Sequence, residues 1–327
     1  MSKAQPGLSV AYLNGFAGAI ELCARRRPLG VVAYGGACSG DLPFGLRSTL
    51  APAAGGDAFE IWQVADEVEE FRRGKVVGAV SRHYAFGAIE VLEDPALPLE
   101  AGIESAYREL LGCLEQVGLP HPIRFWNYLS RLTEDQGGME RYWRFNIGRQ
   151  RAFQALLRQA VPPVASCIGG EGPASVIYVL AARHPAHAIE NPRQVSAYAY
   201  PACYGPVSPS FSRASRHSLQ GQDTLFISGT ASIVGHETRH AGDFDAQLGE
   251  TLNNLRVMMD LTGQGAAQDG QWAVKTYLRD PRRLEQLDAA LAAMLPAGAQ
   301  RFHVLGDICR TDLLLECEAV RYAGEVG

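Results

Sequence analysis

With 327 residues, 47% of them hydrophobic and 20% charged, the chain has enough apolar material for a large core and for two domains. The 30 Lys and Arg against 35 Asp and Glu leave a formal net charge of -5, so there is no basic field for nucleic acid or an anionic membrane, and any anionic ligand must be held by a few local arginines. No run approaches the ~20 apolar residues of a membrane span, and Met1–Gly7 lacks a charged region followed by an apolar one, which makes a cytoplasmic location the default expectation.

Before residue 60, Gly35, Gly36, Gly40, Gly55 and Gly56 punctuate the chain without pointing to a function. Beyond it, a strand-helix-strand pattern occurs twice in the same order. The first copy runs from Tyr84-Ala85-Phe86-Gly87-Ala88-Ile89 through a helix over 101–117 to Ile123–Leu129. Ile103, Ala106, Leu110, Leu111, Leu114 and Val117 fall at helical spacing, and Gly118 followed by Pro120 supplies a stop. Residues 130–165 are polar and rich in arginine, with Asn146 and Gly148 interrupting. Gly169-Gly170-Glu171-Gly172 matches neither a phosphate loop nor a dinucleotide fingerprint and reads as punctuation before a strand. Residues 187–222, rich in Pro, Ser and Tyr, predict a long ordered loop with a role. The second copy starts at Phe226-Ile227-Ser228-Gly229 and passes to a helix over 244–260, with Asp243 as its N-cap and Gly263 as its stop. It closes on Trp272–Leu278, so that each copy has a Gly near its first strand and a Tyr-Leu pair in its second.

Two features bear on chemistry. His236-Glu237-Thr238-Arg239-His240 matches HExxH, but the zinc mechanism needs that pentapeptide inside a helix, and Gly235 and Gly242-Asp243 bracket it. A zinc protease is therefore a remote alternative. The second feature is Leu313-Leu314-Leu315-Glu316-Cys317-Glu318-Ala319-Val320, which as a strand puts Glu316 and Glu318 on one face, and Leu315 and Cys317 on the other. A carboxylate in an apolar run is costly unless paired or neutralised, which makes Glu316 the first candidate acid and Glu318 its reserve. The seven cysteines, at 23, 38, 113, 167, 203, 309 and 317, form no CxxC pair and read as reduced thiols.

Ser228-Gly229, Gly242-Asp243-Phe244-Asp245-Ala246-Gln247 and Glu316-Cys317-Glu318 resemble the RidA/YjgF family. Together with Arg141–Arg149, Cys203–Ala214 and Phe226–Ser232, they make most of residues 60–325 similar to the chorismatase family, which includes bacterial 3-hydroxybenzoate synthases. The resemblance implies an α/β (α+β) fold of two RidA/YjgF-like modules, mixed sheets with helices packed on one face. The first would be an N-terminal module with an extension over 1–150, the second a catalytic module over 151–327. It further implies cleavage of the enolpyruvyl ether of chorismate to release pyruvate, without metal or organic cofactor, by a monomer or small homo-oligomer with no nucleic-acid or membrane partner. By the same resemblance Glu316 matches the catalytic glutamate, and Tyr142, Arg149, Tyr200 and Arg213 match substrate-binding positions, with Tyr204 as a neighbour. Cys309 and Gly229 match positions that mark the aromatising branch, giving 3-hydroxybenzoate and in some members also 4-hydroxybenzoate. The alternative branch is hydrolytic and yields a dihydroxycyclohexadiene carboxylate.

Overall fold

The computed structural model describes residues 7–36, 47–91, 93–94, 96–170, 172–263 and 270–323; Met1–Pro6, Cys38, Gly40 and Glu171 lie outside them. The N-terminal stretch that gave no reading forms β1 (Leu8–Asn14), α1 (Phe16–Arg25), β2 (Gly30–Tyr34), β3 (Ala51–Pro52) and β4 (Ala58–Val64). Its sheet has the order β1-β4-β2. Strand β4 is buried on both faces: Phe59 and Ile61 pack towards α1, whereas Ala58, Trp62 and Val64 join the central core of the molecule. Glu60 shares that second face.

Two larger sheets follow. The first is built from β5 (Glu69–Arg73), β6 (Val76–Val80), β7 (Tyr84–Val91), α2 (Leu99–Gln116), β8 (His121–Ser130), α3 (Arg141–Leu156), β9 (Val164–Gly170) and β10 (Ser175–Ala182). The second comprises β11 (His187–Ile189), β12 (Ala214–Leu219), β13 (Gln222–Thr230), the hairpin of β14 (Ile233–Val234) and β15 (Glu237–Thr238), α4 (Phe244–Gly263), β16 (Gln271–Leu278), α5 (Leu284–Met294), β17 (Gln300–Leu305) and β18 (Leu315–Tyr322). Their orders are β5-β6-β7-β10-β8-β9 and β11-β12-β13-β18-β16-β17, the second extended by β3. Strands β8 and β9 are parallel, as are β16 and β17, and the other pairings in both sheets are antiparallel. The repeat thus extends through six strands of each module.

Each sheet carries its helices on one face and turns the other towards its partner. Ala85, Ile89, Phe125, Leu129, Ile177 and Val179 pack with α2 and α3, while Leu315, Cys317 and Ala319 pack with α4. Tyr84, Phe86, Trp126, Tyr178, Phe226, Tyr277 and Val320 meet between the sheets. Helix α2 stops where the sequence says it should: Gly118 has φ +75° and Leu119 N–H reaches Leu114 O at 3.0 Å, closing the last turn. Asp243 caps α4 by accepting from Ala246 N–H at 3.1 Å.

The register corrects several expectations. Tyr128 stands opposite Val176 and Trp126 opposite Tyr178. Tyr277 stands opposite Glu316 and Lys275 opposite Glu318. The Tyr-Leu pairs are therefore equivalent, and so are Val176 with Glu316 and Tyr178 with Glu318. Gly87, however, faces Val179, whose counterpart Ala319 faces Ile227, so the equivalent of Gly87 is Ile227 and not Gly229. A division between residues 150 and 151 cuts α3, and β9 and β10 belong to the first sheet, which puts the change of sheet between Ala182 and His187. Residues 130–165 contain α3, and the expected 187–222 loop begins with β11 and ends in β12, leaving 190–213 as the irregular part.

Candidate active site

A cavity with an empty volume of about 950 Å³, its open mouth included, lies between the two modules. The first module supplies Tyr142, Trp143 and Arg149 from α3 and Cys167 from β9; the second supplies the 200–213 segment, Gly229 from β13, the 309–313 segment and Glu316 from β18. The eight residues that the family resemblance marks line this one cavity, namely Glu316, Cys309, Tyr142, Arg149, Tyr200, Arg213, Tyr204 and Gly229, whereas the reserve acid Glu318 does not.

Glu316 projects from β18 on the face away from α4, buried and with no hydrogen-bond partner in the protein among the described residues. Burial pushes its carboxyl up to about 8, the negative charge of Glu318 adds to the rise, and Arg124 and Arg213 oppose it. Gly229 makes room for this carboxyl: a Cβ at position 229 would sit 2.6 Å from Glu316 Cδ and overlap an oxygen. The ladder between β13 and β18 is irregular between Ile227 and Thr230, directly beside this contact.

Glu318, two residues along the same face, lives in a different environment. Its oxygens take Arg124 Nη2 at 2.7 Å, Lys275 Nζ at 3.0 Å, Trp126 Nε1–H at 2.9 Å, Tyr277 O–H at 2.8 Å and the Ser166 hydroxyl. Burial alone would raise its pKa, but Arg124 and Lys275 pull it down to about 2. Glu318 is a fixed negative charge and no proton donor.

The arginines are anchored but not saturated. Arg213 donates to Tyr200 OH at 2.6 Å and Val195 O at 3.1 Å and lies over the rings of Phe211 and Tyr200. Arg149 donates to Asn146 Oδ1 at 2.8 Å and stacks on Phe145. In both, Nε is buried with no partner, so each guanidinium retains hydrogen-bonding capacity. Burial and the charge of Glu316 push the Cys309 thiol up to about 12 against the pull of Arg310, so it is protonated at neutral pH.

Residues 60–181 match the family model described as Chorismatase FkbO/Hyg5-like, N-terminal. The chain is 34% identical to a 3-hydroxybenzoate synthase of Streptomyces hygroscopicus over 96% of its own length and 97% of the other. It is also 34% identical to a chorismatase of Streptomyces rapamycinicus, covering 80% of this chain and 81% of that one. A crystal structure of a chorismatase aligns with a TM-score of 0.85 at 27% identity, covering 96% of this chain and 98% of that chain. The chain belongs to the chorismatase family.

In this chorismatase chain the HExxH match is not helical. Glu237 lies in β15 paired to Val234 of β14, Gly235 has φ +62° and His240 has φ +58°. Glu237 is exposed and pairs with Arg239, while His236 turns its Nδ1 to Tyr204 OH at 3.3 Å. The zinc-protease alternative falls on that backbone geometry. Among the cavity residues that the sequence does not assign to the site, Cys167 and Arg310 bear on its chemistry. In the sequence Cys167 reads only as one of the reduced thiols. Arg310, next to Cys309, lies 3.9 Å from the Tyr204 ring centroid and is fixed by His236 O at 2.9 Å. An arginine beside a marked cysteine was the available signal for Arg310, whereas nothing distinguished Cys167.

Proposed function

We propose that the protein converts chorismate to 3-hydroxybenzoate and pyruvate, with Glu316 as general acid. One observation carries the reading: a carboxyl raised to about 8, and so protonated at neutral pH, shares a cavity with the guanidinium groups of Arg149 and Arg213. Chorismate is a dicarboxylate with an enolpyruvyl ether. Arginines entering from opposite modules suit its two carboxylates, and Tyr142, Tyr200 and Tyr204 provide hydroxyls and ring faces between them. With the substrate so held, Glu316 gives its proton to the terminal methylene carbon of the enol ether and the ether carbon becomes oxocarbenium-like. The bond from the ether oxygen to the ring then breaks with its electron pair going to that oxygen, which leaves as the keto oxygen of pyruvate. The neighbouring ring hydroxyl oxygen bonds to the vacated ring carbon, its first bond to the ring opens, and loss of the ring hydrogen as a proton aromatises the ring and returns a proton to the Glu316 carboxylate.

The likeness to a 3-hydroxybenzoate synthase along nearly the whole chain supports the aromatising outcome. Gly229 contributes by leaving the acid its space, and Cys309 by meeting the ring as a neutral thiol. Pyruvate and 3-hydroxybenzoate together account for every atom of chorismate, whereas the dihydroxycyclohexadiene acid needs one added water; the ring product thus reports whether water takes part. No metal or organic cofactor enters this scheme. Among the described residues no helix is long and apolar enough to cross a membrane, and we assign the reaction to the cytoplasm, in a monomer or small homo-oligomer.

The test is incubation of exhaustively chelated enzyme with chorismate, followed by separation of the products. Pyruvate with 3-hydroxybenzoate is the expected result. A dihydroxycyclohexadiene carboxylate as the ring product would move the protein to the hydrolytic branch, and absence of turnover would overturn the reading. Cys309→Ala should keep releasing pyruvate while distributing the ring among other products; an unchanged product ratio would reduce Cys309 to packing.

A further inference from the structure

Directly behind the cavity lies a group of charges that the scheme above does not use. Lys275 of β16 is fully buried, with Nζ 2.6 Å from Glu60 Oε2 of β4 and 3.0 Å from Glu318 Oε1 of β18. The hydroxyls of Tyr34 and Tyr128 complete its shell at 3.2 and 3.0 Å. Glu60 also accepts from Tyr34 O–H at 2.8 Å and Trp62 Nε1–H at 3.0 Å. At the other end Arg124 pairs with Glu318 and donates to Ile227 O at 2.8 Å, on the strand that carries Gly229. Two cations and two carboxylates are enclosed without water-exposed atoms of consequence, and the chain that joins them starts in the N-terminal sheet and ends two residues from Glu316.

Burying such a set is expensive, and a well-packed apolar set of similar volume commonly gives equal or better stability. The molecule contains its own comparison. In the first module the counterparts of Lys275 and Glu318 are Trp126 and Tyr178, both buried and uncharged, on strands of the same order and direction. The fold does not require charge at these positions. We propose that Glu60, Lys275 and Glu318 are positioning residues for the acid, a buried series of alternating charges that fixes how much negative charge stands behind Glu316 and so recruits the N-terminal sheet into the active site. This inference rests on the assignment of Glu316 as the proton donor.

The groups facing Glu316 limit what else can set its ionisation. They are Glu318 on its own strand, Arg124 from β8, Arg213 from the 200–213 segment, Cys167 from β9 and Cys309 after β17. Burial keeps both thiols protonated, which leaves Glu318, Arg124 and Arg213 as the charged groups that act on Glu316 directly, with Arg149 and Arg310 further along the same cavity. Because Lys275 offsets Glu318 and Glu60 offsets Lys275, the sign of each substitution follows. Since the acid works protonated, activity falls as pH rises through its pKa.

The experiment is the alkaline limb of the kcat/KM profile with chorismate, measured together with the ionisation of the Glu316 carboxyl by carbon-13 NMR. Lys275→Met should move both upward by about one pH unit, Glu318→Gln should move both downward by about as much, and Glu60→Gln downward by less. The double variant Glu60→Gln/Lys275→Met removes one charge of each sign and should return close to wild type. Loosened packing lowers kcat at every pH and cannot generate shifts of opposite sign. Limbs that stay in place, or that all move one way, would overturn the inference. Should Lys275→Met not fold, the near-isosteric Glu60→Gln and the double variant decide the question. Wild-type enzyme that does not turn chorismate over defeats the proposed function instead, and the NMR titration then judges the charge series on its own.

Discussion

Glu316 and Glu318 are the same residue type, on the same face of one strand and both buried, yet one is held protonated and the other ionised because only Glu318 is given cations and hydroxyl donors at contact distance. Glu316→Gln preserves shape and removes the transferable proton. We expect kcat to fall ~100- to 10,000-fold, the usual share of a general acid, with KM nearly unchanged, in steady-state assays against chorismate. Comparable loss of binding would place Glu316 among the substrate's holders instead. Arg213→Ala should act differently. If Arg213 holds a substrate carboxylate as proposed, the change removes a buried, charge-assisted clamp worth about 1.5–3 kcal/mol, so KM should rise and kcat/KM drop roughly 10- to 150-fold. An unchanged KM would show that Arg213 only braces Tyr200 and Val195.

Helix α3 brings Tyr142 and Arg149 to the cavity, and it lies so close to α2 that a Cβ on Gly148 would come within 2.9 Å of Ile103 Cβ and overlap the Glu100 carbonyl. Gly148→Ala should therefore push the two helices apart, costing about 1–3 kcal/mol in denaturant unfolding and raising KM for chorismate at the same time. Wild-type stability would mean that the helices separate freely. This helix also marks the limit of what the sequence discloses. Strands β7, β8, β13 and β16 and helices α2 and α4 were legible because their apolar residues recur with the period of the element and because Gly118 and Asp243 mark its end or start. Helix α3 buries Arg141, Asn146 and Arg149 beside Tyr142, Phe145 and Phe153, so its inner face does not read as apolar. The N-terminal sheet was opaque for another reason: β1 and β2 acquire their meaning from pairing with β4, and β1 is separated from it by α1, β2 and β3 in the chain. Eight of the cavity residues were legible through family motifs, Cys167 and Arg310 were not, and Lys275 and Glu60 resemble surface charges until their partners are placed around them.

The N-terminal sheet and both modules contribute to one continuous core, in which Leu8, Trp62, Trp126, Tyr178, Phe226 and Tyr277 all take part. Because Trp62 and Trp126 stand 5.4 Å apart across the seam between N-terminal sheet and first module, their fluorescence reports on that seam. Chemical denaturation followed by tryptophan fluorescence and by far-ultraviolet circular dichroism should give coincident transitions. Two separated transitions would show that the parts unfold independently. The duplicated strand order has one more consequence. An assembly of identical modules must repeat every side chain at each symmetry-related seam, so a lysine-carboxylate seam on one side forces the same seam on the other. Joining two modules in one polypeptide lifts that degeneracy. Val176, Tyr178 and Trp126 stand where the other half has Glu316, Glu318 and Lys275, so on the proposed assignment the second half supplies the acid with Glu318 and Lys275, while the first half is uncharged at those positions and adds Arg124 and Arg149 instead. The stoichiometry is then one reaction centre per polypeptide, whatever the number of chains that associate.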